Sequence, residues 1–433
     1  MSAANRFACS DERLNAIFEV CLRTQRACML DAYVDCPWRE QAQWFHDARI
    51  QAMSGFPLTG SAALFRRAIL QVGQQTSPDG LVFALAPSMG FNHIMPDYTF
   101  AWVMSFRDYY RQSGDLDLFR QLAGGVRANL DYYGQWVTKA GLIAMPRQAR
   151  GFWTLLPSAP ACAHKGAAAY STLFNFMYLG ALQAAAGLFR RSGDKSAAMR
   201  YDRLARTLRE TIVRRLYDER HARFGGGLTA AGRLVPDAWI SGERFEGDPF
   251  ASAWALLLDV LPERRAALAR HVLSLLRAPS GEKPAPSIWF LYYVFEALKK
   301  MGQDQAVLTC IRQWWWDYAI AKGLTTTPEG WGRFNDGHSS HCHAWGAHPI
   351  RHLFNIVLGI WPDDETYRHV RFRPQIMGLD WARGRVTTPY GEIEVEWHRQ
   401  NDQVTARLTV PKGIRIRPQI SGRIKILKQK RGS

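Results

Sequence analysis

Leu173-Phe174-Asn175-Phe176-Met177-Tyr178-Leu179-Gly180-Ala181 is the stretch that decides the fold class. Within it Leu173, Phe176, Met177, Gly180 and Ala181 recur at the i, i+3, i+4 spacing that lines one face of an α-helix. Ile288, Leu291, Tyr292 and Phe295 repeat the pattern. Working outward, the chain from Asp11 to about Gly359 reads as about eleven or twelve amphipathic helices punctuated by Gly, Pro and Asp. They fall near 11–30, 58–75, 97–113, 115–138, 167–193, 195–217, 249–261, 263–277, 286–302, 303–319 and 341–359, with a short one near 38–52. That number suits a closed ring of helical hairpins, so the expected class is mainly α, an (α/α)6 six-hairpin barrel over residues 1–361.

After Trp361 the period changes. In Glu392-Ile393-Glu394-Val395-Glu396-Trp397 acidic and apolar residues take opposite faces, as on a half-buried strand. Residues 404–410 and 415–417 continue the alternation between turns at Gly391, Pro411-Lys412-Gly413 and Ser421-Gly422. The expectation is a small antiparallel β domain over 362–433. Its tail alternates Ile414, Ile416, Ile424 and Ile426 with Arg415, Arg417, Arg423 and Lys425, the pattern of a half-buried edge strand with a basic outer face.

A chain of 433 residues that is 47% hydrophobic can bury a large core. Its seven cysteines, Cys9, Cys21, Cys28, Cys36, Cys162, Cys310 and Cys342, are scattered without a C-x-x-C pair, so neither a disulfide framework nor a zinc site is suggested. No apolar run reaches the roughly 18 residues of a membrane span, and Met1 to Arg13 has no signal-peptide core; the expected location is cytoplasmic. The net charge of +17 is concentrated only in the tail, where 412–431 carries eight basic residues and no acidic one; the other arginines are scattered over helix faces. Without a nucleic-acid-binding motif, a solvated basic surface is the reading, with no nucleic-acid or membrane partner.

Chemistry is densest in Asp35-Cys36-Pro37-Trp38-Arg39-Glu40-Gln41-Ala42-Gln43-Trp44-Phe45-His46-Asp47. Carboxylates crowded together raise one another's proton affinity, so one can stay protonated as an acid while an arginine holds its neighbour ionised. Pro37 favours a loop, and a loop at the mouth of a helical ring can point such a cluster into a cavity. Spacing alone serves equally well for a helix N-terminus stapled by ion pairs of Arg39.

The motif resembles the signature of glycoside hydrolase family 78, the inverting α-L-rhamnosidases, whose catalytic domain is a six-hairpin barrel. Further segments are similar in the same order: Phe7 to Leu14, Pro96-Asp97-Tyr98, Gly323-Leu324-Thr325-Thr326-Thr327-Pro328-Glu329, Ser340 to Trp345, Leu358-Gly359-Ile360, and the tail from Leu379 to Ile393. The resemblance implies Glu40 as general acid and Glu329 as the general base that activates water, with about 6.5 to 9.5 Å between their carboxyl groups for inversion. It further implies Asp35 and Asp47 as ligands of sugar hydroxyls, Arg39 as a brace of the acidic cluster and His343 as a contact near the reacting ring. No metal or cofactor is implied, and the partner is a carbohydrate. Trp38, Trp44, Trp331 and Trp345 are the candidate pocket aromatics because they lie near these motifs, whereas Trp314-Trp315-Trp316 reads as core and groove packing.

Three departures from the family pattern bear on substrate and partners. Relatives carry β-sandwich domains ahead of the helical domain; their absence here raises the expectation of an exposed apolar face that binds a second copy of the chain or a separately encoded β-domain protein. Where relatives show F-x-D-W, this chain has Phe152-Trp153-Thr154-Leu155-Leu156, which removes a sugar-binding aspartate. His46 stands before Asp47 where a glycine is common. The expected function is removal of a terminal α-L-rhamnosyl or similar deoxyhexosyl residue. Its rivals are the same barrel with another sugar and a degenerate barrel that binds carbohydrate or a partner without turnover.

Overall fold

The computed structural model of the chain describes residues 6–90, 93–144, 155–156, 159–160, 168–277, 283–332, 339–363, 366–401, 403–420 and 422–428. Its α-helices are α1 (Glu12–Ala27), α2 (Phe45–Thr59), α3 (Ala63–Gln74), α4 (Pro96–Ser113), α5 (Asp117–Gly134), α6 (Thr172–Ser192), α7 (Lys195–Leu216), α8 (Pro249–Leu257), α9 (Arg265–Leu273), α10 (Leu291–Lys300), α11 (Asp304–Cys310), α12 (Trp316–Tyr318) and α13 (Pro349–Ile356). Local chemistry sets many of their starts. Asp11, Ser171, Asp194 and Asp248 accept backbone N–H groups at the openings of α1, α6, α7 and α8, and prolines occupy the first positions of α4, α8 and α13.

Burial sorts the helices into two kinds. From Phe45 to Leu58 every residue of α2 is buried, and α8 is buried from Pro249 to Leu256. In α3, α5 and α7 only one face is buried. The first kind packs in succession, α2 on α4, α4 on α6, α6 on α8 and α8 on α10, while α3, α7 and α9 lie against α2, α6 and α8. By length and composition α6 could cross a membrane, but it is packed inside the helical core.

This sorting accounts for the main misplacement of the sequence reading. A helix buried on every side, with His46, Asp47, Arg49 and Gln51 among its buried residues, shows no amphipathic stripe, which is why the sequence pattern gives only a short segment near 38–52 and runs the end of α2 into α3. The two helices part at Gly60, whose φ of +65° is a left-handed cap that a side chain would strain.

The strands are β1 (Phe7–Cys9), eight short strands β2 to β9 between Ala159 and Glu246, and β10 (Ile360–Pro362), β11 (His369–Phe372), β12 (Trp381–Thr388), β13 (Gly391–Gln400), β14 (Gln403–Val410), β15 (Arg415–Pro418) and β16 (Gly422–Lys428). A five-stranded sheet runs β1-β12-β13-β14-β16 beside a three-stranded sheet β10-β11-β15. The expected antiparallel domain is therefore corrected to a mixed one: β15 pairs parallel with β11 and β16 parallel with β14. After β14 the chain crosses to the smaller sheet and then returns, and a strand that comes back after such an excursion can run in its neighbour's direction. β1 also joins this sheet from the far end of the sequence. Alternate residues Ile393, Val395 and Trp397 face inward, and Trp397 Nε1 donates to the carbonyl of Val357 at 2.9 Å, seating the sheet on the end of α13. In the basic tail Ile414 is buried and Ile416 and Ile424 are partly so, but Ile426 on the outermost strand is exposed.

Candidate active site

Asp35 organises the first loop. Its backbone N–H donates to Ala42 O at 2.9 Å and its Oδ1 accepts from the Ala42 N–H at 2.9 Å, which closes the loop; its Oδ2 accepts from Cys36 Sγ at 3.0 Å. Gln41 is held in the left-handed region at φ +49°, and its amide nitrogen donates to Pro37 O at 2.8 Å. The loop reading of Pro37 thus describes the geometry, and the braced tip carries Trp38, Arg39 and Glu40 out to solvent. Glu40 Oε2 accepts from Trp44 Nε1 at 2.6 Å.

The second segment is zipped to the third by threonines. Thr327 N–H donates to Thr24 Oγ1 at 2.8 Å, Thr327 Oγ1 donates to His343 O at 2.9 Å, and His343 N–H returns a bond to Thr327 O at 2.7 Å. Thr326 Oγ1 donates to His341 O. These bonds set Glu329 against Ser340, whose N–H donates to Glu329 Oε2 at 2.8 Å while Glu329 N–H donates to Ser340 O at 2.8 Å. This unit meets the first loop where Ala344 N–H donates to Asp35 O at 3.0 Å and where Arg39 Nη1 lies 3.7 Å from Glu329 Oε2.

Between the segments stand two buried carboxyls with a buried imidazole between them. His343 Nε2 lies 3.8 Å from Asp35 Oδ2 and 3.7 Å from Asp47 Oδ1. Burial, and then the charge of Arg39, depress the imidazole to about 3, so it is neutral at physiological pH and these contacts are not ion pairs. Its Nδ1 is buried without a hydrogen-bond partner. Burial raises Asp35, against the bonds from Cys36 and Ala42. Asp47 is raised further, by burial first and then by Asp35, Glu40 and Glu329. Glu329 is raised by burial, with the Ser340 N–H pulling the other way. Such a cluster offers hydrogen-bonding carboxyls of raised proton affinity to a ligand rich in hydroxyl groups.

Aromatic rings wall the cluster. Trp345 stacks on Trp289 with ring centres 5.8 Å apart, lies 4.0 Å from the His343 ring and donates its Nε1 to Glu329 O at 2.9 Å. Trp44 meets Tyr98 edge-on at 5.9 Å, and the Tyr98 hydroxyl donates to Asp47 Oδ2 at 3.4 Å. His46 turns the other way, into a box of Tyr98, Trp289 and Tyr293, with its Nε2 2.5 Å from the Tyr293 hydroxyl.

The expected residues thus divide. Asp35, Arg39, Glu40, Trp44, Asp47, Glu329, His343 and Trp345 are linked by the contacts above. Trp331 stands apart, buried against Trp314, Trp315 and Tyr318 with its Nε1 donating to Pro286 O at 2.9 Å, a core position. Trp38, 85% exposed, projects from the loop tip into solvent. Two neighbours were missed although they lie in the quoted Pro96-Asp97-Tyr98 segment: Tyr98, bonded to Asp47, and Asp97, fully buried, which accepts from Leu155 N–H at 2.9 Å and is pushed by burial to about 7. Phe152 to Thr154, beside Leu155, lie outside the described residues. Among the described residues, no group of three or more His, Cys, Asp or Glu side chains is arranged to hold a metal ion.

Helices buried on every side, carrying at one end an acid-rich, aromatic-walled cluster drawn from three separate segments, define a glycosidase-type helical domain joined to a C-terminal β domain. The chain belongs to the bacterial α-L-rhamnosidase family: the six-hairpin glycosidase domain of that family matches residues 2–357 and its C-terminal domain matches residues 359–423. It is 22% identical over 424 residues to an α-L-rhamnosidase of Alteromonas sp. (strain LOR), covering 94% of this chain and 44% of that protein. Among solved structures it is similar to a GH78 family rhamnosidase of Bacillus sp. GL1, with a TM-score of 0.85 and 26% identity over 99% of this chain and 44% of that one. It also shares its fold with the α-L-rhamnosidase of Streptomyces avermitilis complexed with L-rhamnose, at a TM-score of 0.73 and 17% identity over 95% and 38% of the two chains. This chain therefore spans under half the length of these relatives.

Proposed function

We propose that this chain hydrolyses terminal α-L-rhamnosides with inversion, Glu40 acting as general acid and Glu329 as general base. The observation that carries the reading is the link between the two segments, Arg39 reaching Glu329 beside the cluster of Asp35, Asp47 and His343. Hydrolysis with inversion needs a proton donor and a proton acceptor on opposite faces of the sugar. Trp44 occupies one oxygen of Glu40 as a donor, which leaves the other to carry the proton delivered to the leaving oxygen. Ser340 likewise fixes one oxygen of Glu329, and the raised affinity of that carboxylate suits it to draw a proton from water. Asp35 and Asp47 would receive sugar hydroxyls, and the Trp345 and Trp44 rings the C–H face and the C5 methyl. The succession of α2, α4, α6, α8 and α10, with α13 packed back on α2, supports an (α/α)6 barrel as the scaffold.

A second reading keeps the acid and base but changes the sugar, favoured by the lack of the F-x-D-W aspartate in Phe152-Trp153-Thr154-Leu155-Leu156. Incubation with a panel of nitrophenyl glycosides, followed by NMR of the first-formed sugar, tests both. The proposal expects release from the α-L-rhamnoside with inverted anomeric configuration. Retention would reassign Glu329 as a nucleophile, and a uniformly blank panel would leave a binding domain.

A further inference from the structure

Two thiols contact Asp35, and a third lies beside one of them. Cys36 Sγ is 3.0 Å from Asp35 Oδ2, and Cys28 Sγ is 3.8 Å from Asp35 O. Cys342 packs against a small cluster of Cys28, Val34 and Ala344 separate from the main core, which sets its thiol beside that of Cys28. Cys28 is fully buried at the end of α1, whereas Cys342 reaches solvent. A solvent-reaching thiol with a second thiol directly behind it is the arrangement that oxidation-sensing cysteines require.

We propose that Cys342 and Cys28 form a reversible disulfide, with hydrogen peroxide as the oxidant. The Cys342 thiolate attacks one peroxide oxygen; the O–O bond breaks, the departing hydroxide takes a proton and leaves as water, and Cys342 becomes a sulfenic acid. Cys28 then gives up its proton as its sulfur attacks Cys342 Sγ, the S–O bond breaks and a second water leaves. Two thiols and one peroxide yield one disulfide and two waters. The order follows from the environment: the neighbouring Cys28 thiol lowers Cys342, the Cys342 thiol and burial raise Cys28, and burial together with Asp35 raises Cys36. Cys36 is also tied to Asp35, which leaves it the poorer partner.

The bond would act on the pocket because of where its ends lie. Cys28 caps α1, and Cys342 follows the Ser340 that holds Glu329 and precedes His343. A disulfide sulfur pair stands about 2.05 Å apart, closer than any thiol hydrogen bond. Closing it draws the segment of Ser340 to His343 toward α1 and moves the grip on Glu329.

The test treats the full chain with a slight excess of hydrogen peroxide, alkylates the remaining thiols, and maps peptides by mass spectrometry. A linked pair of peptides containing Cys28 and Cys342, undone by dithiothreitol, is the expected result. Cys342→Ser and Cys28→Ser should each abolish the link. A link through Cys36, or Cys342 carried to the sulfinic acid with Cys28 still alkylatable, would overturn the proposal, and the Cys342→Ser variant keeps it falsifiable if the buried Cys28→Ser fails to fold. The effect on turnover rests on the rhamnosidase reading: oxidation should cost about tenfold, the scale of a reacting group displaced by under about 1 Å, and both variants should resist it. Peptide mapping needs no turnover, so an inactive protein that still forms the link would sink the functional reading alone. A linked protein of unchanged activity would overturn the coupling to Glu329.

Discussion

The same helices carry charge into two regions built on opposite rules. Toward their N-terminal ends, Asp47 of α2 and the neighbouring Asp35 are buried around a neutral His343, and their proton affinities are raised. Elsewhere on the helices, among the described residues, carboxylates packed between helices meet cations. Arg49 of α2 bonds Asp108 of α4 at 2.8 Å, and Glu296 of α10 is held by Lys299 at 2.6 Å and Arg351 at 3.0 Å. There the shifts reverse. Against the penalty of burial, Arg49 holds Asp108 below the usual range, and Arg351 and Lys299 bring Glu296 to about 2. Burial lowers Lys299 to about 8 even beside Glu296, so desolvation outweighs its attraction, yet the pair remains ionised between the two values. Matched charges serve the fold, whereas uncompensated acids cost stability and are retained where a ligand can complete them.

The comparison predicts that substitutions at the two regions fail in different ways. At the acidic end, Glu329→Gln should lower turnover of an aryl rhamnoside by roughly 10²- to 10⁴-fold, because the amide cannot accept a proton. Its thermal midpoint should hardly move, since the amide oxygen still accepts from Ser340. At the matched end, Asp108→Ala leaves the buried Arg49 uncompensated and should cost about 3–5 kcal/mol in urea unfolding, with little change in kcat for the folded fraction. Should Asp108→Ala instead abolish turnover at full stability, the division into two regions would be wrong.

Asp47→Asn should combine a loss with a gain. Turnover falls by about tenfold or more as a hydroxyl ligand is weakened, while the fold becomes more stable by about 1 kcal/mol near neutral pH because a buried, repelled carboxylate is removed. The sign follows from linkage. A carboxyl whose folded pKa is raised contributes stability that is complete below its unfolded pKa and is lost as pH rises through the folded one. The variant's advantage should therefore grow from pH 5 to pH 8 in thermal melts. An advantage that shrinks over that range would place Asp47 among the matched charges.

The sequence disclosed the acidic region better than the matched one. Asp35 to Asp47 stood out because several carboxylates, an arginine and three aromatics fall in one short stretch, and Glu329 gained meaning from the threonines before it. The matched region could not be read so: Arg49, Asp108 and Glu296 come from three distant helices, and only packing brings them together. The amphipathic helices were legible, but α2, which carries both Asp47 and Arg49, was not, because its burial on every side erases the periodic signal. Trp331 was placed by proximity to Glu329 in sequence, although its side chain turns into the core. The parallel placement of β15 and β16 depends on a crossing between sheets that alternation cannot encode.

Arg39 offers the finest probe, because among the described residues it is the one cation at the acidic end that touches a proposed catalytic carboxylate. It lies 3.7 Å from Glu329 Oε2, and both side chains are about one-third exposed, at 34% and 31%. Burial dominates the rise of Glu329, the Ser340 N–H opposes it, Glu40 adds to it and Arg39 opposes it. Removing Arg39 deletes one lowering influence, so in Arg39→Ala the carboxylate should protonate at higher pH. If Glu329 must be ionised to activate water, the acid limb of kcat/KM moves upward. The move should stay under about one pH unit, because solvent screens a partly exposed pair. Global stability should change by less than about 0.5 kcal/mol. A limb that stays in place, or moves down, while Arg39→Ala still binds substrate would mean that another group sets it, and Glu329 would lose its assignment as the base.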